Sequence, residues 1–150
     1  MPDDDLLKPT IAEEPLSMNP PWSVDSLVYP AFFGGPLAVT YLAAINARRL
    51  GVGDRHLVLI IASGVAALLA QLAVIAFVLQ EVSSGAQRFS FSLAGVAVWG
   101  VAKYVQRRPF RIYLLRGGKP AGLWGPGIGA VIASVLVQFL LVTVVNSAVG

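Results

Sequence analysis

Cysteine is absent from the whole chain, which excludes disulfides, thiolate metal sites and cysteine nucleophiles but leaves the redox compartment open. Charge is scarce, at 13% of residues against a usual share of roughly 25%. There is a single histidine, His56, and it stands beside Arg55 at the edge of an apolar run. All eight carboxylates lie in the N-terminal segment or at the edges of apolar runs. Paired carboxylates, a metal cluster and a serine–histidine–acid set are therefore not visible, and the reading is non-enzymatic, with no cofactor and no catalytic or metal-ligating residue. Ionisable residues inside membrane spans mark proton and ion routes, and the apolar runs carry none near their centres, which disfavours a proton-coupled pump. Residues 1–25 have neither a basic start nor an apolar h-region, so they do not read as a signal peptide.

What the chain does have is length without charge. Residues 57–80, LVLIIASGVAALLAQLAVIAFVLQ, form an uncharged run that as a helix would cover about 36 Å, more than the ~30 Å of a bilayer's hydrocarbon core. The rest of the chain is arranged around such runs, and the expected fold is all-α: a polytopic membrane protein with a four-helix transmembrane bundle over residues 26–150. The spans are placed near residues 27–47, 57–79, 88–105 and 123–145. The third is the weakest, because only fourteen residues separate Phe89 from Lys103, and it relies on Lys103 snorkelling to the surface.

Ahead of the bundle, residues 1–25 are acidic and proline-rich and read as a mobile tail or as a segment that orders on a partner. Trp22 and Tyr29 flank the first apolar run, where aromatic rings favour the headgroup level. Gly34, Gly35 and Pro36 interrupt that run. They mark either a packing kink or a discontinuous helix beside a binding cavity, and in both cases the bend is expected to face other helices. In the second run Ala62, Ala66 and Ala70 recur at four-residue spacing. Gly125, Gly129 and Ala133 do the same in the last run and form the strongest helix-packing motif in the chain. Gln71 and Gln138 are polar at mid-depth and are expected to hydrogen-bond within the bundle, with lining of a solute path as the functional alternative.

Basic residues cluster in two places. Arg48, Arg49 and Arg55 surround the first turn, and Lys103, Arg107, Arg108, Arg111, Arg116 and Lys119 surround the third. They read as topology determinants and as contacts for anionic lipid, and not as a nucleic-acid surface. Pro109 and the Gly117–Gly118 pair are expected to limit any helix there to two turns. With four crossings both basic clusters share the cytoplasmic side, which places the N- and C-termini outside. The stretch 32–51, FFGGPLAVTYLAAINARRLG, resembles a run found in small bacterial inner-membrane proteins of unknown function. That resemblance implies a bacterial multi-span protein and carries no activity. Two functions remain: a structural or accessory protein acting through helix packing and contact with another membrane protein or with itself, or an oligomeric transporter or channel for a small solute.

Overall fold

The computed structural model describes residues 19–77 and 84–149. The expectations for residues 1–18 of the N-terminal tail, and for residues 80–83 of the link after the second span, fall outside the described residues. Four helices follow one another: α1 (Val28–Arg49), α2 (Asp54–Phe77), α3 (Ser84–Leu115) and α4 (Trp124–Val149), with a 3-10 turn at Asp25–Leu27 leading into α1. Three stretches, Asp25–Arg49, Asp54–Phe77 and Trp124–Val145, are long and apolar enough to cross a membrane.

Length does not settle direction, and α1 reverses. Gly35 inside it has φ 65° and ψ −160°, a backbone state that only glycine adopts without strain. A straight helix would hold Val28 about 27 Å from Asn46. Trp22 stands six residues ahead of Val28, which is at most about 20 Å of extended chain, and three of those residues are wound into the 3-10 turn. Yet the Trp22 N–H donates to Asn46 Oδ1 at 2.7 Å, and Asn46 Nδ2 donates back to Trp22 O at 3.1 Å. Arg49 Nη1 reaches Pro20 O at 3.1 Å. These contacts require a hairpin, with a short arm over residues 28–34, a turn at Gly34–Gly35–Pro36, and a long arm over residues 36–49. The apolar stretch expected near 27–47 thus folds back on itself, and both of its ends lie at the same end of the bundle.

The other helices run the full length. Gly64 of α2 sits against Thr40 of the long arm, and a side chain at 64 would collide with it. Along α3, Ser92 and Gly95 meet the turn region, Trp99 Nε1 donates to Val24 O, and Gln106 meets Asn46. On α4, Tyr29 stacks on Trp124 near its start, and Gln138 reaches Gly34 deeper in. The turns 50–53 and 116–123 thus sit at the same end as residues 20–24. Backbone pairing of Ala121 N–H with Pro21 O at 2.9 Å ties two of these three together.

Two further expectations change. The third helix is not short: α3 has 32 residues, about 48 Å, and runs through Pro109. It ends where Gly117, at φ 81°, lets the N–H groups of Gly117 and Gly118 close on the carbonyls of Leu114 and Tyr113. Its basic stretch is thus a helical extension of the bundle and not a two-turn surface piece. Nor is Trp22 a headgroup anchor. At 3% exposure it is packed in the main core with Leu27, Leu42, Ala43, Ala47, Ile60, Ala102 and Leu123, so residues 20–24 belong to the bundle ahead of the boundary expected at Ser26.

Candidate functional site: a re-entrant turn and a lateral groove

A helix that stops inside a bundle leaves its last carbonyls without intrahelical partners. The short arm of α1 stops at Gly34, and neighbouring helices supply the missing donors. Ser92 Oγ of α3 donates to Phe32 O at 2.8 Å. On α4, Ser134 Oγ and Gln138 Nε2 donate to Gly34 O at 2.5 and 2.6 Å, and Gln138 Nε2 also donates to Ser134 Oγ at 2.6 Å. Ser134 and Gln138 are both buried, so these bonds are made away from water. Pro36 opens the long arm at a first-turn position, where its missing N–H removes no helical bond. Gly95 lets α3 press onto the turn, since a Cβ there would overlap Ala31 O and come within 2.9 Å of the Gly35 carbonyl carbon. The site is built entirely of neutral groups.

Gln71 behaves differently from Gln138. It is 4% exposed, and both its amide nitrogen and its amide oxygen lack a hydrogen-bond partner among the described residues. It does not bond Gln138. Gly64 marks the level of Thr40, and seven more residues carry α2 about 10.5 Å further, to the level of the turn.

The expected packing motif on α4 does not pack within the chain. Gly125, Gly129 and Ala133 are exposed, and a Cβ added at Gly125 or Gly129 would meet nothing within 4 Å. The face that enters the bundle is offset from it: Leu123, Gly127, Ser134 and Gln138 are buried, with Gly127 against Tyr29. Gly34, Gly35 and Pro36 are buried at the turn. On α2 the ladder Ala62, Ala66 and Ala70 is likewise exposed, while Ile60, Gly64, Gln71 and Ile75 face inward.

At the basic end, Arg48, Arg55, Arg107, Arg108, Arg111, Arg116 and Lys119 are exposed. Lys103 pairs with Asp25 at 2.7 Å and lies 4.8 Å from the Trp99 ring centre, so it is held in place and not reaching freely for the surface. Arg49 is half-buried, its guanidinium 4.0 Å from the Trp22 ring centre. Between the long arm of α1 and α4 runs an open groove of about 730 Å³. Leu37, Ala38 and Tyr41 form one wall, Gly129, Ala133 and Val137 the other, with Trp22 and Arg49 at the basic end and Ser134 toward the turn.

Sequence reading missed the amide pair that fastens the hairpin. Gln106 is fully buried, its Oε1 accepts from Asn46 Nδ2 at 2.8 Å, and its Nε2 donates to Ala43 O at 2.7 Å. Nothing in the local pattern around either residue marks the pairing, because they are sixty positions apart. The reversal did leave a local sign. Gly-Gly-Pro is a helix stop followed at once by a helix start. No family model, no curated protein and no solved structure matches this chain.

Proposed function

We propose that this chain is a non-catalytic, multi-pass protein of a bacterial inner membrane that acts through contact, as an accessory component beside another membrane constituent. The observation that carries the reading is the outward side of α1 and α4. There the small-residue ladder Gly125–Gly129–Ala133 and the adjoining groove stand open, although the chain has three other helices with which to cover them. Small residues spaced by four let a neighbour approach a helix backbone closely. The basic end is read as cytoplasmic and in contact with anionic lipid, with no role for nucleic acid. The experiment is a photo-crosslinking residue at Ala133 in native membranes, with Leu59 on the exposed side of α2 as control. A discrete adduct from Ala133 and none from Leu59 supports the reading. Equal, diffuse labelling at both positions overturns it.

A second reading rests on a different observation. The turn at Gly34–Gly35–Pro36 is buried inside the bundle, and the Gln71 amide has no partner among the described residues. Non-helical backbone at membrane depth occurs where it is buried in protein or lines a polar path, and broken helices of this kind form solute sites in transporters. Gentle solubilisation separates the two readings: a defined foreign partner favours the accessory role, and a homo-oligomer alone favours an oligomeric channel or transporter for a small solute.

A further inference from the structure

We infer that the groove between the long arm of α1 and α4 is a binding site for one anionic phospholipid of the leaflet at the basic end. An acyl chain would lie along the groove and the phosphate against Arg49. The inference rests on the α1–α4 side being the contact surface and names what occupies its inner part.

Three features carry it. The first is reach. Leu37 and Arg49 are twelve residues apart on the long arm, and Pro126 and Val137 eleven apart on α4, so the groove extends about 17 Å. Half of a ~30 Å hydrocarbon core is about 15 Å, so the groove matches one leaflet. The second is its lining, which is aliphatic and aromatic along the walls. Gly129 and Ala133 leave there the room that larger side chains would fill.

The third is charge at the correct end. Arg49 is the one cation among the groove's lining residues. It is oriented by the Trp22 ring beneath it and by a bond to Pro20 O. Among the described residues those contacts use one face and one donor of a group that carries five donors in a planar fork suited to phosphate. A guanidinium fixed in advance loses little freedom on binding, which distinguishes this position from the exposed Arg48 beside it. An anionic amphiphile satisfies both parts of the site. A zwitterionic lipid gains less at Arg49, and a protein helix would bring no complement to it unless it also carried an acidic residue.

The protein is purified in mild detergent, exchanged into nanodiscs of equal phosphatidylglycerol and phosphatidylcholine, and stripped back to detergent, and the retained lipid is counted by native mass spectrometry. One phosphatidylglycerol per chain is expected. Arg49→Gln should lower the preference for phosphatidylglycerol about fivefold, the worth of one basic residue against anionic lipid. Arg49→Gln could also loosen residues 20–22. Gly129→Leu therefore serves as the second variant, because a Cβ there meets nothing within 4 Å and the side chain would fill the groove. It should abolish retention and leave the melting profile in detergent unchanged. Equal retention of both lipids, or retention unchanged in Gly129→Leu, overturns the proposal. If the Ala133 crosslink captures a protein and no lipid, the lipid site falls and the contact reading stands. If it captures neither, both fall.

Discussion

At the scale of single residues, Gln71 and Gln138 show that the same side chain at similar depth can have opposite energetic signs. Gln138 uses its N–H groups on Gly34 O and Ser134 Oγ. Removing it leaves a main-chain oxygen at the end of a helix with Ser134 Oγ as its remaining donor, a loss of about 1 kcal/mol. Gln71 is buried with neither amide atom partnered within the described fold, and an unpaired buried amide is a cost of similar size. Gln138→Leu is therefore expected to lower the melting temperature in detergent, and Gln71→Leu to leave it unchanged or raise it. If Gln71→Leu destabilises as much as Gln138→Leu, the Gln71 amide has a bound partner, and the solute reading of the turn gains. Gly35 stands apart from both. Its φ of 65° and the Gln138 oxygen 2.9 Å from where a Cβ would sit leave no room for a side chain, so the reversal depends on glycine at this position.

At the scale of elements, α1 decides how the molecule is drawn. Composition and hydropathy made it a span, and by length it still qualifies. Those measures count apolar residues and are blind to direction, so a hairpin of two apolar arms reads the same as one straight helix. The helical class, the inward burial of the Gly34–Gly35–Pro36 break and the position of the basic residues were all legible, because each depends on local pattern. The reversal was half legible, in the Gly-Gly-Pro order. The contacts that make it a hairpin, Trp22 with Asn46 and Asn46 with Gln106, join residues 24 and 60 positions apart, and no periodicity carries that information. The α4 ladder Gly125–Gly129–Ala133 stands outside the fold for a related reason. Small residues mark where a close approach is sterically allowed, and the chain used the neighbouring stripe, where Ser134 and Gln138 also supply hydrogen bonds that the turn requires. Spin labels at Val28 and Arg48, both on exposed positions, test the hairpin directly. A straight helix puts these residues about 30 Å apart, whereas the hairpin places both at the basic end. A measured distance well under 30 Å is expected, and one near 30 Å would restore a crossing first helix.

At the scale of the whole molecule, the hairpin changes which side each terminus is on. Four crossings would put both termini opposite the basic clusters, with Lys8 and Arg88 as the two basic residues on the far side. A re-entrant α1 with α2, α3 and α4 crossing would bring the chain in at the basic end, through residues 20–24 beside Asn46 and Ala121. Of eleven Lys and Arg, Lys8 precedes that entry point and Arg88 lies near the start of α3 at the opposite end; the remaining nine are at the basic end. Counting Lys8 with the nine would make the separation ten against one, better than nine against two. Lys- and Arg-rich short loops stay in the cytoplasm, so that arrangement is expected to hold the N-terminus inside and the C-terminus outside. The cysteine-free chain makes this measurable, with single cysteines at Ser17, Ser84 and the exposed Lys119 and a membrane-impermeant thiol reagent applied to intact cells. Labelling is expected at Ser84 alone, with Ser17 and Lys119 protected until the cells are opened. Labelling of both Ser17 and Ser84 would mean that α1 crosses after all. Labelling of Ser17 and Lys119 with Ser84 protected would keep the hairpin and invert the whole molecule in the membrane.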